Sequence, residues 1–174
     1  LVASFAQLPV GAIESMVGFL ADGSPLIDLL AELGPDAALA VKKQLIMSVA
    51  TGIHPNITAN LIRKELGGNL ARALTISRTE TIRAYREASL RTYQANEDVL
   101  SGYMRLSAAN SRTCAACFAL HGTVYRLKER QGDHPSGRCS WVPISKKHPL
   151  VVESGPDRFA KLSDKDQLAI LGPK

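Results

Sequence analysis

The chain has 174 residues, which is the length of one domain or of one domain with an additional arm. Its hydrophobic share of 45% argues against a disordered chain, and no apolar run is long enough to cross a bilayer as a helix. Aromatic residues make up only 5%, so the core must depend on aliphatic side chains, and the net charge of +5 is unevenly distributed.

The first 35 residues predict an N-terminal arm with short helices. They are mostly apolar and are interrupted by Gly and Pro. Ser24-Pro25 is typical of a helix start, because Pro fits the first helical turn. Gly34-Pro35 would then end this short helix.

Residues 36–110 are predicted to be a helical region that ends in one long basic helix. Apolar residues at helical spacing indicate a helix to about residue 51 and another over residues 57–66, which Gly67-Gly68 ends. Residues 69–110 contain no Pro, and Gly102 is the weakest point in an otherwise helical pattern. This stretch therefore predicts a single long helix.

Basic residues are concentrated in the middle of the chain. Residues 61–150 carry fifteen Lys or Arg against seven acidic residues, whereas residues 1–60 carry two against five. A positive stripe on the long helix would attract DNA or an acidic protein surface, and we expect it to contain Arg72, Arg78, Arg83, Arg86 and Arg91. The alternative is a solvated helix face, with Glu80 in a structural ion pair.

Residues 111–143 predict a small knuckle, followed over residues 144–174 by a loop and a C-terminal helix. The knuckle consists of short runs broken by Gly, Pro, Asp and Ser, and residues 122–125 and 139–142 are typical of short strands. Ser163 is the expected cap of the last helix. The predicted fold class is therefore α+β and mainly helical: N-terminal helices and a long central helix, with a small β knuckle.

All three cysteines lie in this knuckle, and an odd count in one short window argues against a disulfide framework. Cys114 and Cys117 stand at i,i+3, and His134 and Cys139 follow from a later segment. Two sulfurs from one tight turn and a second pair from a later loop can complete the tetrahedron that zinc prefers. The pattern predicts a structural zinc site formed by Cys114, Cys117, His134 and Cys139, which would pin the knuckle.

Other chemistry for these side chains remains open. Cys139 could form a disulfide with one of the other cysteines, the thiols could be free and buried, and His121 or His148 could supply the fourth ligand. Asp133-His134-Pro135 after a Cys-x-x-Cys pair resembles part of a His-Asn-His nuclease motif, although no Asn follows Asn110. A zinc deaminase is excluded because the chain contains no His-x-Glu. Since four protein ligands leave no open coordination position, we expect no catalytic residue and no enzyme.

Four motifs occur in a fixed order along the chain. They are Ser-Arg-Thr-Glu-Thr at 77–81, Arg-Thr-Cys-Ala-Ala-Cys at 112–117 with Leu-His-Gly-Thr at 120–123, Asp-His-Pro-Ser-Gly-Arg-Cys at 133–139, and Gln-Leu-Ala-Ile-Leu-Gly at 167–172. Together with Gly52-x-His54-Pro55, this set resembles the head morphogenesis family, the minor head proteins of tailed phages related to protein F of phage Mu. The resemblance covers roughly residues 45–172.

One position departs from the family pattern. Many members read His-Pro-x-Cys-Arg-Cys, whereas Gly137 stands at the first of those two Cys positions in this chain. The four predicted ligands remain. The family pattern also continues past Lys174, so we expect this sequence to be part of a longer protein.

The resemblance implies a structural minor capsid protein that is present in several copies inside the phage head, and in the host cytoplasm before assembly. It implies the portal protein and other head proteins as partners, packaged double-stranded DNA as a further candidate contact, and no membrane in the assembled head. The rival hypotheses are a metal-dependent nuclease or toxin-like domain, and a zinc-dependent nucleic-acid-binding module whose affinity falls steeply with salt.

Overall fold

A computed structural model describes Leu30, residues 32–110 and residues 112–172. The short helix predicted after Ser24-Pro25, and most of the predicted arm, lie outside these residues. The helices of the described ranges are α1 (Pro35–Ala50), α2 (Pro55–Ile62), α3 (Leu70–Ala95), α4 (Ala115–Ala119), α5 (Gly155–Ala160) and α6 (Asp164–Leu171). The strands are β1 (Leu100–Leu106), β2 (Val124–Tyr125) and β3 (Ser140–Ser145). The predicted class, a mainly helical α+β fold, is confirmed.

The described residues form two compact units. The first unit contains the described chain up to Ala88 together with the loop Asp133–Gly137. The second contains Ser89–Gly132 and the described residues from Arg138 onward. Helix α3 therefore contributes residues to both units.

An aliphatic core built by α1, α2 and the first part of α3 stabilises the first unit. The fully buried side chains include Val41 and Leu45 of α1, Ala59 of α2 and Ala73 of α3. Small residues on α3 allow a close approach of the α2 backbone. Ser77 shows this approach directly, because its hydroxyl donates a hydrogen bond to the Pro55 carbonyl at 2.9 Å.

A side-chain contact caps the start of α2. Pro55 occupies the first position of α2, and the His54 side chain accepts a hydrogen bond from the Asn56 backbone N–H at 3.2 Å. Such a side-chain acceptor satisfies one of the N–H groups that a helix leaves without an internal partner.

The second unit is built on a three-stranded antiparallel sheet with the order β2-β1-β3. Tyr103 of β1 lies opposite Tyr125 of β2 and Pro143 of β3. Its fully buried ring stacks on Tyr125, with centroids 5.5 Å apart, and contacts Trp141 at 5.2 Å. The two short strands predicted from the sequence correspond to β2 and β3, and Trp141 packs against the small core of this unit.

The prediction of one helix over residues 69–110 is wrong, because the helix ends at Ala95 and residues from Leu100 form the central strand β1. Gly102 makes this pairing possible, since a Cβ at that position would collide with the Tyr125 carbonyl oxygen. The strand forms because its backbone and side chains pair on both edges with residues 20 to 45 positions later in the chain. The sheet of the knuckle thus begins before the predicted boundary at residue 111.

Two short helices follow the sheet in the second unit. Ser163 caps α6 by accepting a hydrogen bond from the Asp166 backbone N–H at 3.2 Å, which confirms the predicted cap. Helix α5 falls partly in the stretch predicted as a loop, and Gly155 at its start approaches the Phe118 carbonyl of α4 so closely that a Cβ would collide with it. No helix of the described residues is long and apolar enough to span a membrane.

Candidate metal centre

Cys114 and Cys117 lie at the start of helix α4. Cys114 is the N-cap residue in an extended conformation, and its sulfur accepts a hydrogen bond from the Cys117 backbone N–H at 3.4 Å. The cap geometry and the first helical turn therefore bring the two side chains together, as the i,i+3 spacing predicted. Cys114 is exposed and Cys117 is buried.

Cys139 precedes strand β3 and is buried in the second unit. Its thiol interacts with that of Cys117 through a hydrogen bond. None of the three cysteines forms a disulfide bond in the structure. The second unit thus gathers the sulfurs that the sequence separates by more than twenty residues.

His134 lies in the loop Asp133–Gly137 of the first unit and is exposed. Its Nδ1 lies 2.9 Å from the Pro135 carbonyl oxygen, so the tautomer that donates from Nδ1 leaves Nε2 as the ligand atom. Its backbone N–H donates to Asp133 Oδ1 at 2.9 Å. These two contacts hold His134 against Pro135 and Asp133 and so orient its imidazole ring.

An ion pair anchors this loop to helix α3 within the first unit. Arg86 Nη1 pairs with the Asp133 carboxylate, and Arg86 Nη2 donates to the Gly137 carbonyl at 3.1 Å. The Ser136 backbone N–H also donates to Thr79 Oγ1 at 2.8 Å. A Cβ at Gly137 would collide with the Asp133 carboxylate. In the structure, the carboxylate of this ion pair occupies the space that a side chain at residue 137 would need.

Cys114 and Cys117 of the second unit bring two sulfur atoms to one helical turn, so they could supply two ligands of a metal ion. Thiolates with imidazole form a donor set that suits zinc and related divalent metals. His134 belongs to the first unit, and the places of His134 and Cys139 as further ligands stay predictions.

Although the residue as a whole is exposed, partial desolvation of its sulfur raises the pKa of the Cys114 thiol above its ordinary value. Burial is also the largest cause that raises the pKa of the Cys117 thiol, followed by the hydrogen bond with Cys139, while a hydrogen bond from Arg105 lowers it. Because a metal binds the thiolate, binding to these residues would release protons and depend on pH.

Arg105 of β1 is a feature of this site that sequence reasoning missed. Its Nη2 donates to Cys117 Sγ at 3.2 Å, and the residue is only 2% exposed. The predicted stripe of arginines ends at Arg91, and nothing in the local pattern distinguishes Arg105 from a solvated helical arginine. Strand pairing alone brings it to the sulfur.

The other candidate ligands lie elsewhere. His121 is buried, and its Nδ1 accepts a hydrogen bond from the Ser107 backbone N–H at 3.1 Å. His148 is exposed in the loop after β3. Among the described residues, neither His121 nor His148 lies in a cluster of possible metal ligands.

The predicted arginine stripe does not form one uniform exposed face. Arg86 is 8% exposed and is used in the Asp133 pair, so it is not a contact for DNA in this structure. Arg72 pairs with Glu32 at 2.7 Å, and Arg78 donates to Asn56 Oδ1 at 3.2 Å. The remaining two arginines differ from each other: Arg83 pairs with Glu80 at 3.4 Å, and Arg91 is exposed.

The structural ion pair predicted for Glu80 is confirmed, and the side chain of Glu80 is buried.

The family described as Phage Mu protein F-like protein matches residues 40–142 of the chain. No curated protein and no solved structure matches it significantly. The matched region runs from α1 into β3 and includes all three cysteines, His134 and the helix that carries the arginines. Because the match covers more than half of the 174 residues, the chain belongs to the Phage Mu protein F-like family of phage head morphogenesis proteins.

Proposed function

We propose that this protein is a structural minor head protein of a tailed phage, that it acts inside the head in association with the portal, and that it is not an enzyme. The family match over residues 40–142 is the observation that carries this proposal. A head protein works as part of an assembly. The features that matter for this role are therefore its fold, its surfaces and the interactions that stabilise them.

The second part of the proposal is a structural zinc ion held by Cys114, Cys117, His134 and Cys139. Support comes from the two sulfurs that Cys114 and Cys117 bring to one helical turn and from the hydrogen bond between the Cys117 and Cys139 thiols, all within the second unit. Four protein ligands close the coordination sphere, and closed zinc sites serve folding and not catalysis.

The chain between β1 and β3 gives a reason for such an ion. From residue 107 to residue 139 the described residues contain only the five-residue helix α4 and the two-residue strand β2. Few backbone hydrogen bonds and few buried apolar side chains can hold a segment of this kind, so a metal would contribute directly to its folding.

Charge supports a partner of negative potential. By sequence position, the second unit carries thirteen Lys or Arg against seven acidic residues, whereas the first carries eight against nine. A basic unit is attracted to an acidic portal surface or to packaged DNA. Exposed apolar side chains on α6, Leu168 and Leu171 at 62% each, suit a protein–protein contact.

Co-expression with the portal protein of the same phage tests the assembly proposal. We expect the two proteins to co-purify through affinity and size-exclusion steps, and we expect the protein to be found in purified heads. Recovery of assembled heads that contain the portal and lack this protein would overturn the assembly proposal.

Metal analysis of the purified, reduced protein tests the zinc proposal separately. We expect about one zinc per chain in the wild type and a loss of that zinc in Cys139→Ser, with a lower thermal midpoint. Absence of any metal from the wild type would refute the proposed site and leave the assembly role to be judged by co-purification. An enzymatic role would instead show as divalent-metal-dependent DNA cleavage that His134→Ala abolishes.

A further inference from the structure

Cys114 and Cys117 form a pair of neighbouring thiols within the second unit. Cys114 is the extended N-cap residue of α4, and Cys117 lies in the first turn of that helix. Their sulfur atoms lie within 4.8 Å of each other, and only the small residues Ala115 and Ala116 separate them in the chain. Rotation of the two side chains, without movement of the helix, can therefore bring the sulfurs to the S–S distance of about 2.0 Å that a disulfide requires.

The backbone that carries this pair is held by the rest of the second unit. Phe118, next to Cys117, is 2% exposed, and its ring meets that of Phe159 edge-on with centroids 5.8 Å apart. Its backbone N–H donates to the Cys114 carbonyl at 2.9 Å. Because the backbone is fixed, the two thiols stay close together, and a reaction between them has the advantage of an intramolecular step.

The cysteines of this unit differ in their exposure to solvent. Cys114 is exposed, whereas Cys117 and Cys139 are only 4% and 5% exposed. Since oxidation of cysteine follows access and thiolate character, an oxidant in the solvent meets the Cys114 sulfur first. Desolvation raises the pKa of the Cys114 and Cys117 thiols, so few thiolates are present at neutral pH and the oxidation is slow.

We propose that Cys114 and Cys117 are an oxidation site, which hydrogen peroxide converts to a disulfide across the first turn of α4 while Cys139 stays a thiol. In the first step the Cys114 sulfur takes one oxygen atom from the peroxide and becomes a sulfenic acid, while the O–O bond breaks and the peroxide is reduced to water. In the second step the Cys117 sulfur attacks the Cys114 sulfur. The S–S bond forms, the S–O bond breaks, and the hydroxide leaves as water with the proton of the Cys117 thiol. Two thiols and one hydrogen peroxide thus give one disulfide and two water molecules.

The oxidation state of this pair decides whether it can bind a metal, because the metal ligand is the thiolate and a disulfide offers none. A phage head protein is made in a reducing cytoplasm and is then carried in particles that leave the host for an oxidising medium. The thiols would therefore be available during assembly, and the disulfide would form in released particles. This consequence rests on the proposed function, whereas the oxidation itself requires neither a head nor a metal.

Peptide mapping of the full chain after oxidation tests the proposal. The purified protein is reduced, stripped of metal with a chelator, treated with hydrogen peroxide and then alkylated in denaturant. Trypsin places Cys114 and Cys117 together in the peptide 113–126 and Cys139 in the peptide 139–146. We expect loss of two of the three alkylation sites: the peptide 113–126 should be unalkylated and lighter by two hydrogen atoms, and the peptide 139–146 should be alkylated. Dithiothreitol before alkylation should restore both sites.

Serine variants supply the controls. Cys139→Ser keeps the pair, so we expect the same loss of alkylation in the peptide 113–126 as in the wild type. Cys114→Ser removes the exposed thiol, so we expect the two buried thiols to remain open to alkylation after the same peroxide treatment. Circular dichroism before oxidation checks that each variant is folded. If Cys139→Ser does not fold, Cys114→Ser carries the test, because it changes an exposed position.

Three results would overturn the proposal. A peptide 113–126 cross-linked to the peptide 139–146 would make Cys139 a partner in the disulfide. Alkylation of all three cysteines after peroxide treatment would mean that the pair does not react. A loss of alkylation that dithiothreitol does not reverse would mean that Cys114 is oxidised further without attack by Cys117. The assembly and zinc proposals are judged separately, by co-purification and by metal analysis of the reduced protein.

Discussion

Replacement of Arg86 by Met is the sharpest test of how the loop that carries His134 is held. Arg86 pairs with Asp133 and donates to the Gly137 carbonyl, and the side chains of the pair are only 10% and 12% exposed. Met keeps most of the length and apolar volume of the Arg stem, so the change removes mainly the charge and the donors. The Asp133 carboxylate is then left almost buried with one fewer cationic partner.

The expected cost follows from burial. Removing one partner of a buried ion pair costs about 3–5 kcal/mol, because the other charge stays away from water. Slight exposure of both side chains places the expected value near the lower end, at about 3 kcal/mol. Arg72→Met is the matched control on the same helix, since Arg72 pairs with Glu32 at 30% and 67% side-chain exposure. An exposed pair of this kind contributes about 0–1 kcal/mol.

Urea unfolding followed by far-UV circular dichroism measures both costs. The signal must be helical ellipticity, because the single tryptophan, Trp141, lies in the second unit and reports on that unit. We also expect Arg86→Met combined with Asp133→Asn to cost less than the sum of the two single changes, because the double variant leaves no unpaired charge. Equal costs for Arg86→Met and Arg72→Met, or additive single changes, would refute the reasoning.

Three further predictions concern the packing and the pH dependence of the two units. Gly155→Ala should destabilise the second unit by at least about 1–3 kcal/mol, because its Cβ would collide with the Phe118 carbonyl; thermal unfolding followed by tryptophan fluorescence checks this. Leu45→Ala should cost about 2–5 kcal/mol in urea unfolding, since Leu45 is 0% exposed in the core of the first unit, and an unchanged midpoint would contradict the packing described for it. Burial, and then the charge of Arg158, lowers the pKa of His121 below its ordinary value of 6.5. The unfolded chain then binds a proton at a higher pH than the folded chain, so stability should fall as the pH drops from about 7 through 6.5 toward the lowered pKa, and His121→Gln should flatten this part of the profile.

Local signals in the sequence were sufficient for much of the fold. Ser163 capped a helix, and Cys114 with Cys117 at i,i+3 placed two thiols at one helical turn. Each of these depends on residues within one turn of each other, so spacing alone contains the required information. The ordered motifs likewise led to the Phage Mu protein F-like family, which the match over residues 40–142 confirms.

The error over residues 96–110 has a different origin. Leu100–Leu106 forms a strand because Tyr103 stacks on Tyr125 and Trp141, and because Gly102 admits the backbone of β2. These partners come from later parts of the chain. A helical reading of the same residues violated no local rule, since a stretch without Pro and with a single Gly is compatible with either structure.

The sequence by itself determined which side chains could bind a metal and that positive charge lies in the middle of the chain. Only the tertiary structure decided what each arginine does. Arg86 pairs with Asp133, forty-seven residues later, and Arg105 donates to the sulfur of Cys117 from a buried strand. A guanidinium of the same type can face water, pair with a carboxylate or donate to a sulfur atom, because its chemistry is set by the groups that folding brings to within hydrogen-bond distance and by the water that burial removes.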